Sequence, residues 1–422
     1  MKKKMKLSKI YYWMLPALAL FGITSCKKDN STGFTPGTGA PTISSVRTAS
    51  KSVVDSSRTT TTVTYDNSGV PTSNTYQNLT PQTVAFDSTT ATGKLGNWYA
   101  AKGTNLGSVS KILLNGVSIY FNRALVSDNS VPFNIPSTVP TIGQKNTLQI
   151  VTLHGTATYS FTTLSPPPTI TGVTDFNFWS GSQIGIKGVS LSTITGITLR
   201  STGDVVNYQI LSDSIAVLTM PTTSTVTESS LLFAYSAAGK TLQTGSSVTF
   251  NDLDNAYTIF FKDSFQNSWA DNSWSGPSGA NSGASHSGTK SARASYPAGA
   301  WQIEGWANWY PSFPYNAAYK YLTFWVKGGT VNHTLVLVGD KMVGGYGQVQ
   351  NSNAYAAQLI VVPAKVWTYF KIPLGATQTS SNPNTLNYWA TGTPAQQLGF
   401  FLQGSSGDVD EAMYFDEVAF LK

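Results

Sequence analysis

Residues 300–309 read Ala-Trp-Gln-Ile-Glu-Gly-Trp-Ala-Asn-Trp, three indoles interleaved with two amides and a carboxylate. These residue types suit a sugar. A pyranose presents a flat face of polarised C–H groups that stacks on an aromatic ring, and a rim of hydroxyls that needs paired donors and acceptors. Alternation along an extended chain puts Trp301 and Ile303 on one face and Gln302, Glu304 and Trp306 on the other. The expected platform is Trp306 with Trp309, beside Gln302 and Glu304. Tyr346, in the small loop Gly344-Gly345-Tyr346-Gly347, is expected to be exposed. Tyr355 and Trp389 are further loop aromatics, and Gln348 and Gln403 further hydroxyl partners. For each tryptophan the competing reading is a place in the core, and for each polar residue a solvated or cross-strand role.

These residues lie in a C-terminal region with its own composition. Residues 257–422 hold eight of the eleven tryptophans, more than a core of this size easily buries. Its apolar runs are short and strand-like. In Leu322–Lys327 the pattern predicts Leu322, Phe324 and Val326 inward, with Thr323, Trp325 and Lys327 outward. Phe401 and Gln403 share one face, and Tyr414–Phe420 reads as a closing strand. The succession AWQIEGWANW, YKYLTFWVKGG, WTYFKIPL, LGFFLQG and MYFDEVAFL resembles β-jelly-roll carbohydrate-binding modules over the whole of 256–422. That resemblance implies a structural Ca²⁺ joining the first and last strands, an ion that takes hard oxygen ligands. Asp263 and Asp416 stand in the corresponding places. No other cofactor is expected.

The preceding region repeats itself. Lys102-Gly103-Thr104-Asn105-Leu106 and Lys187-Gly188-Val189-Ser190-Leu191 stand 85 residues apart, as do Ser127-Asp128 and Ser212-Asp213, and Ile135-Pro136 and Met220-Pro221. The openings Pro41-Thr42-Ile43 and Pro168-Thr169-Ile170 are 127 apart, so the first unit carries roughly 42 extra residues, placed at about Val54–Leu95. Short strands between Asn-Gly and similar turns, without helical periodicity, predict small β-sandwiches. The shared motifs resemble IPT/TIG immunoglobulin-like domains. The expected organisation is all-β: two Ig-like sandwiches, 41–166 (with the insertion) and 167–251, and then the jelly roll, 256–422. The Ig-like units are expected to serve as spacers.

The chain begins with a basic stretch, an apolar run from Ile10 to about Ile23, and its single cysteine, Cys26. This is the pattern of a secretory signal, too short for a comfortable membrane span. It resembles a bacterial lipoprotein signal over residues 1–25, with Cys26 acylated, followed by a flexible tether over 26–40. The whole chain resembles surface glycan-binding lipoproteins of the Bacteroidetes polysaccharide-utilisation type. The resemblance implies an outer-membrane, cell-surface location, attached through the lipid alone. It also implies capture of a neutral β-linked polysaccharide for a TonB-dependent importer and neighbouring surface glycoside hydrolases.

Other classes find less support. Five of the 27 basic residues precede Cys26, which leaves 22 against 20 acidic residues and no basic patch for nucleic acid. No cysteine follows Cys26, so disulfides and cysteine-bound zinc are excluded. His154, His286 and His333 are scattered and form no metalloprotease motif. A jelly-roll hydrolase or lyase needs carboxylates across the scissile bond. The densest acidic run, Asp408-Val409-Asp410-Glu411-Ala412-Met413, has Met where a laminarinase-type strand would end in Glu. The readings that stand are non-catalytic glycan binding, then a surface adhesin, then a jelly-roll hydrolase or lyase.

Overall fold

The computed structural model describes residues 35–53, 55, 57–65, 71–77, 82–237, 239–274, 278–281, 283–339, 346, 359–374, 388, 393–403 and 407–422. Cys26 and the leader lie outside them. The described chain is all-β, its strands interrupted only by three single-turn 3₁₀ segments. It divides into two compact units at Pro166–Pro167.

In the first unit, a sheet of Thr42–Thr48, Trp98–Thr104 and Ser130–Asn134 belongs with one of Gly155–Ser160, Thr147–Thr152, Val109–Leu114 and Val117–Ile119. Their shared core includes Val46, Tyr99, Phe133, Ile150 and Phe161. Between the first two strands, Ser50–Val53 pairs with Gln82–Ala85 and Thr59–Tyr65 with Pro71–Gln77, so the extra residues form nested two-stranded ladders.

The second unit opens with another sandwich. Thr169–Val173, Gln183–Val189, Ile215–Thr219 and Asn207–Ser212 form one sheet; Asn177–Phe178, Lys240–Asp252, Glu228–Ala237 and Ile194–Leu199 form the other. The repeated residues do the same work in both sandwiches. A Cβ on Gly103 would fall 1.8 Å from the Thr42 carbonyl oxygen, and one on Gly188 2.1 Å from that of Thr169. Only glycine lets the strand pass the bulged opening strand this closely. Three residues on, the Leu106 and Leu191 amides each donate to the carbonyl of the aspartate in Ser-Asp, Asp128 and Asp213, both at 2.9 Å.

The rest of the second unit is a jelly roll of two facing sheets. The five-stranded sheet runs Ala270–Asp271, Trp301–Ala307, Gln397–Gln403, His333–Gly339, Leu359–Val362. The seven-stranded sheet is built on the closing strand Glu411–Leu421, flanked by Tyr257–Phe261 and Ser291–Tyr296 on one side and Tyr321–Lys327 on the other. The core between the sheets is aromatic, with Phe260, Trp306, Phe324, Phe400, Phe415 and Phe420 all fully buried. Leu322, Phe324 and Val326 point into it as the alternation requires.

The opposite face of the seven-stranded sheet is covered by the second sandwich. Phe176 stacks on Trp325 and lies 5.0 Å from the Tyr369 ring, and Trp179 meets Phe261 edge-on at 5.2 Å. Leu253, Phe261, Ala419 and Leu421 form a small core at this junction. Trp325 therefore leaves the jelly-roll core as predicted, but it is only 8% exposed because a neighbouring domain covers it.

Candidate glycan-binding face

With one outer face of the jelly roll covered, the outer face of the five-stranded sheet is the other that could meet a ligand. Register decides what it carries. Trp301↔Gln403, Ile303↔Phe401 and Gly305↔Gly399 are cross-strand pairs, and Phe401 and Gly399 face Val336 and Val338 on the next strand. Ile303, Phe401 and Val338 form an apolar cluster separate from the main core, with Val336 and Tyr346 packed against it. Leu359 and Val361 extend the apolar row to the sheet edge at 38% and 62% exposure. The other set of positions, Gln302, Glu304 and Trp306, pairs with Leu402, Phe400 and Leu398 and faces inward.

The face expected to bind is thus the inward one. Trp306 is fully buried, with its ring edge-on to Phe265, Phe400 and Phe415 at 5.9, 5.3 and 5.6 Å. Glu304 is also fully buried, and Gln302 is half-buried with its Oε1 enclosed. Neither Trp306 nor Glu304 offers a surface to ligand. The alternation along this strand is as expected, with its inward and outward sets exchanged. Both faces of this strand carry apolar residues, so its own pattern does not say which is inside; its partner Gln397–Gln403, with Leu398, Phe400 and Leu402, does.

Two aromatics stand over the outer face instead. Trp274 donates its backbone N–H to the Ile303 carbonyl at 3.1 Å, which places it beside the apolar cluster. Its indole is half exposed and meets the Tyr346 ring edge-on at 5.7 Å. Tyr346 is not a free-standing loop aromatic. Its hydroxyl is buried over the glycine pair, where a Cβ on Gly305 or Gly399 would fall 2.4 or 2.5 Å from it. The glycines are a recess that lets a tyrosine lie against the sheet. A single tryptophan among polar loop residues gave no sequence signal that would have singled out Trp274.

Trp309 is exposed as expected, at 47%, beside Tyr310 at 89%. Both follow the end of Trp301–Ala307, outside the strand. Tyr355, Trp389 and Gln348 lie outside the described residues, as does the side chain of Gln403.

Asp263 and Asp416 do not fit the calcium site. Asp263 accepts from the Thr289 and Lys290 amides at 2.7 and 2.9 Å and from the Thr289 hydroxyl at 2.9 Å. Asp416 accepts from the His286, Ser287 and Glu417 amides at 2.9, 3.1 and 2.9 Å. N–H and O–H donors point at these carboxylates where a cation would have to sit. Their role here is to hold the loop 286–290.

The buried Glu304 has a measurable consequence. Burial pushes its carboxyl up to about 7, against hydrogen bonds from Ser278 and Ser273, with the charge of Asp271 adding to the rise. Folded chain keeps this proton to about pH 7, whereas an unfolded carboxyl at the ordinary 4.5 has released it. Between these values the folded state binds more protons, so stability falls as pH rises and levels off above about 7. Glu304→Gln is expected to remove this share, making the loss between pH 4.5 and 8 about 3 kcal/mol smaller than in the parent chain. Urea titrations at the two pH values measure it.

No protein-family model and no curated protein matches the sequence. Among solved structures, the chain is similar to the surface glycan-binding protein PbSGBP-B from Prevotella bryantii, with a TM-score of 0.50 at 14% identity, covering 92% of this chain and 99% of that one. It is also matched with SGBP-B from a complex xyloglucan utilization locus in Bacteroides uniformis, with a TM-score of 0.36 at 16% identity, covering 78% and 96%. A third match is the family 11 carbohydrate-binding module of cellulase Lic26A-Cel5E of Clostridium thermocellum, with a TM-score of 0.25 at 15% identity, covering 39% and 94%. At these identities the likeness is one of fold.

Proposed function

We propose that the chain is a non-catalytic polysaccharide-binding protein of the cell surface, capturing glycan on the outer face of its jelly roll. The observation that carries this reading is the half-exposed Trp274, braced by Tyr346 over a buried apolar cluster on the outer face of the sheet, with Leu359 and Val361 exposed at its edge. An exposed aromatic platform of this kind suits the apolar face of a sugar. The fold shared with a surface glycan-binding protein over nearly the whole chain supports it. Glu304, the carboxylate of the strand beneath the platform, points into the core, which favours binding over hydrolysis. Neutral β-linked backbones are the ligand class, since the face asks for stacking rather than charge. Acylation at Cys26 would hold the protein at the outer membrane, where it would deliver glycan to a TonB-dependent importer alongside surface hydrolases. Single-site affinity should be modest, because an open face leaves much of the ligand in water. Many copies on one membrane would compensate.

Affinity electrophoresis of the chain from Lys27 onward, against a panel of neutral β-glucans, xyloglucan, mannan and xylan, tests the proposal. Retardation without new reducing ends is the expected result. New reducing ends would make the protein an enzyme, and no retardation by any glycan would favour the adhesin reading.

A further inference from the structure

The junction between the second sandwich and the jelly roll encloses a cluster that glycan binding does not use. Asp175, two residues before Asn177–Phe178, His286, in the loop before Ser291–Tyr296, and Glu417, in the closing strand, each bring one ligand-type atom within 4.8 Å of the others. Asp175 Oδ2 and Glu417 Oε1 lie 3.5 and 3.7 Å from His286 Nδ1. Glu417 is fully buried, and both its Oε1 and His286 Nδ1 lack a hydrogen-bond partner.

The atoms facing away from the centre are secured. Asp175 Oδ1 accepts from the Asn177 amide at 2.9 Å and from Trp325 Nε1 at 3.0 Å. Glu417 Oε2 accepts from Asn177 Nδ2 at 2.8 Å. The His286 ring lies on the Trp325 indole, with centroids 3.9 Å apart. Each carboxylate is thus oriented by one oxygen and presents the other, which is how outer-shell partners aim metal ligands.

Glu417 reaches the cluster because of a bulge. The core-facing residues of its strand are Met413 and Phe415, then Val418 and Phe420, a step of three in a period of two. Glu417 has φ of 50°, a left-handed conformation that a glutamate seldom adopts without compensation. The strand spends one residue and a strained backbone to turn this carboxylate toward another buried carboxylate.

Two buried carboxylates facing one another cannot both stay ionised at low cost: either they share a proton or a cation lies between them. An imidazolium could serve, but it would draw one oxygen in to about 2.7–2.9 Å. The two imidazole–carboxylate spacings, 3.5 and 3.7 Å, are too long for such hydrogen bonds. A tetrahedral ion with bonds of about 2.0–2.1 Å sets its ligand atoms about 3.3–3.4 Å apart, near these two spacings. One imidazole and two carboxylates suit zinc; calcium and magnesium prefer oxygen throughout. We propose that Asp175, His286 and Glu417 bind one divalent transition-metal ion of the zinc class, which ties the second sandwich to the jelly roll. The fourth position is left for water.

The test uses the chain from Lys27 onward, stripped with a chelator, reloaded with Zn²⁺ or Co²⁺, and gel-filtered. One equivalent of Zn²⁺ per chain is expected, with a Tm several degrees above that of the stripped protein. Co²⁺ should give the visible absorption of a four-coordinate centre. His286→Gln and Glu417→Gln, checked for native circular dichroism, should each lower retained Zn²⁺ at least tenfold. Absence of stoichiometric Zn²⁺ and of the Co²⁺ spectrum in the parent chain would overturn the proposal whatever the variants do. So would uptake of calcium alone, or zinc retention unchanged in both folded variants. Any of these would leave the glycan reading standing.

Discussion

Trp306→Ala is expected to destabilise the second unit by about 3–5 kcal/mol, the range for truncating a buried large aromatic. The indole is fully buried against Phe265, Phe400 and Phe415, in contact with strands of both sheets. Rigid strands around it have little freedom to collapse into the space left behind. In urea the midpoint should fall while the slope stays the same, since the surface exposed on unfolding changes little. Glycan retention per folded molecule should be unaffected, because the residue never meets ligand. A variant that kept its midpoint and lost retention would put Trp306 back on the binding face.

Trp274→Ala should do the reverse. Loss of an aromatic anchor at a binding surface typically costs about 2 kcal/mol or more, or roughly a thirtyfold weakening. The indole is half exposed and rests on Tyr346 outside the main core, so its removal should change stability by less than about 1 kcal/mol. Isothermal titration with a retained oligosaccharide, beside a thermal melt, gives both numbers. Unchanged affinity would move the platform to Trp309 and Tyr310, which are exposed just past the end of Trp301–Ala307.

The two tryptophans show what a sequence can say here. That the chain is all-β was legible, because short β-favouring runs with turn residues between them leave no room for helices. The repeated Lys-Gly-x-x-Leu motif was legible because one backbone constraint, a close strand passage, recurs in each sandwich. The proposed binding face was not. Period-two alternation fixes which residues travel together but not which set lies inside, and Trp301–Ala307 is apolar on both sides. Trp274 was missed because its role comes from a hydrogen bond to a strand 29 residues away, which local pattern does not encode. Asp416 was expected as a metal ligand from its place in the closing strand. The bulge beside it gives that opportunity to its neighbour Glu417 instead.

The cover over Trp325 also bears on how such a protein can be taken apart by evolution or by engineering. Jelly-roll domains are commonly treated as interchangeable parts that can be cut out and joined to something else. The jelly roll of this chain is not self-contained. Excised at residue 256, it would bare Trp325, Phe261, Ala419 and Leu421, all now 8% exposed or less, and it would strand Glu417 without Asn177. Such a fragment would be prone to aggregate for reasons unrelated to its ligand. The smallest piece that natural recombination could move intact is the pair, sandwich and jelly roll together, beginning near Pro167.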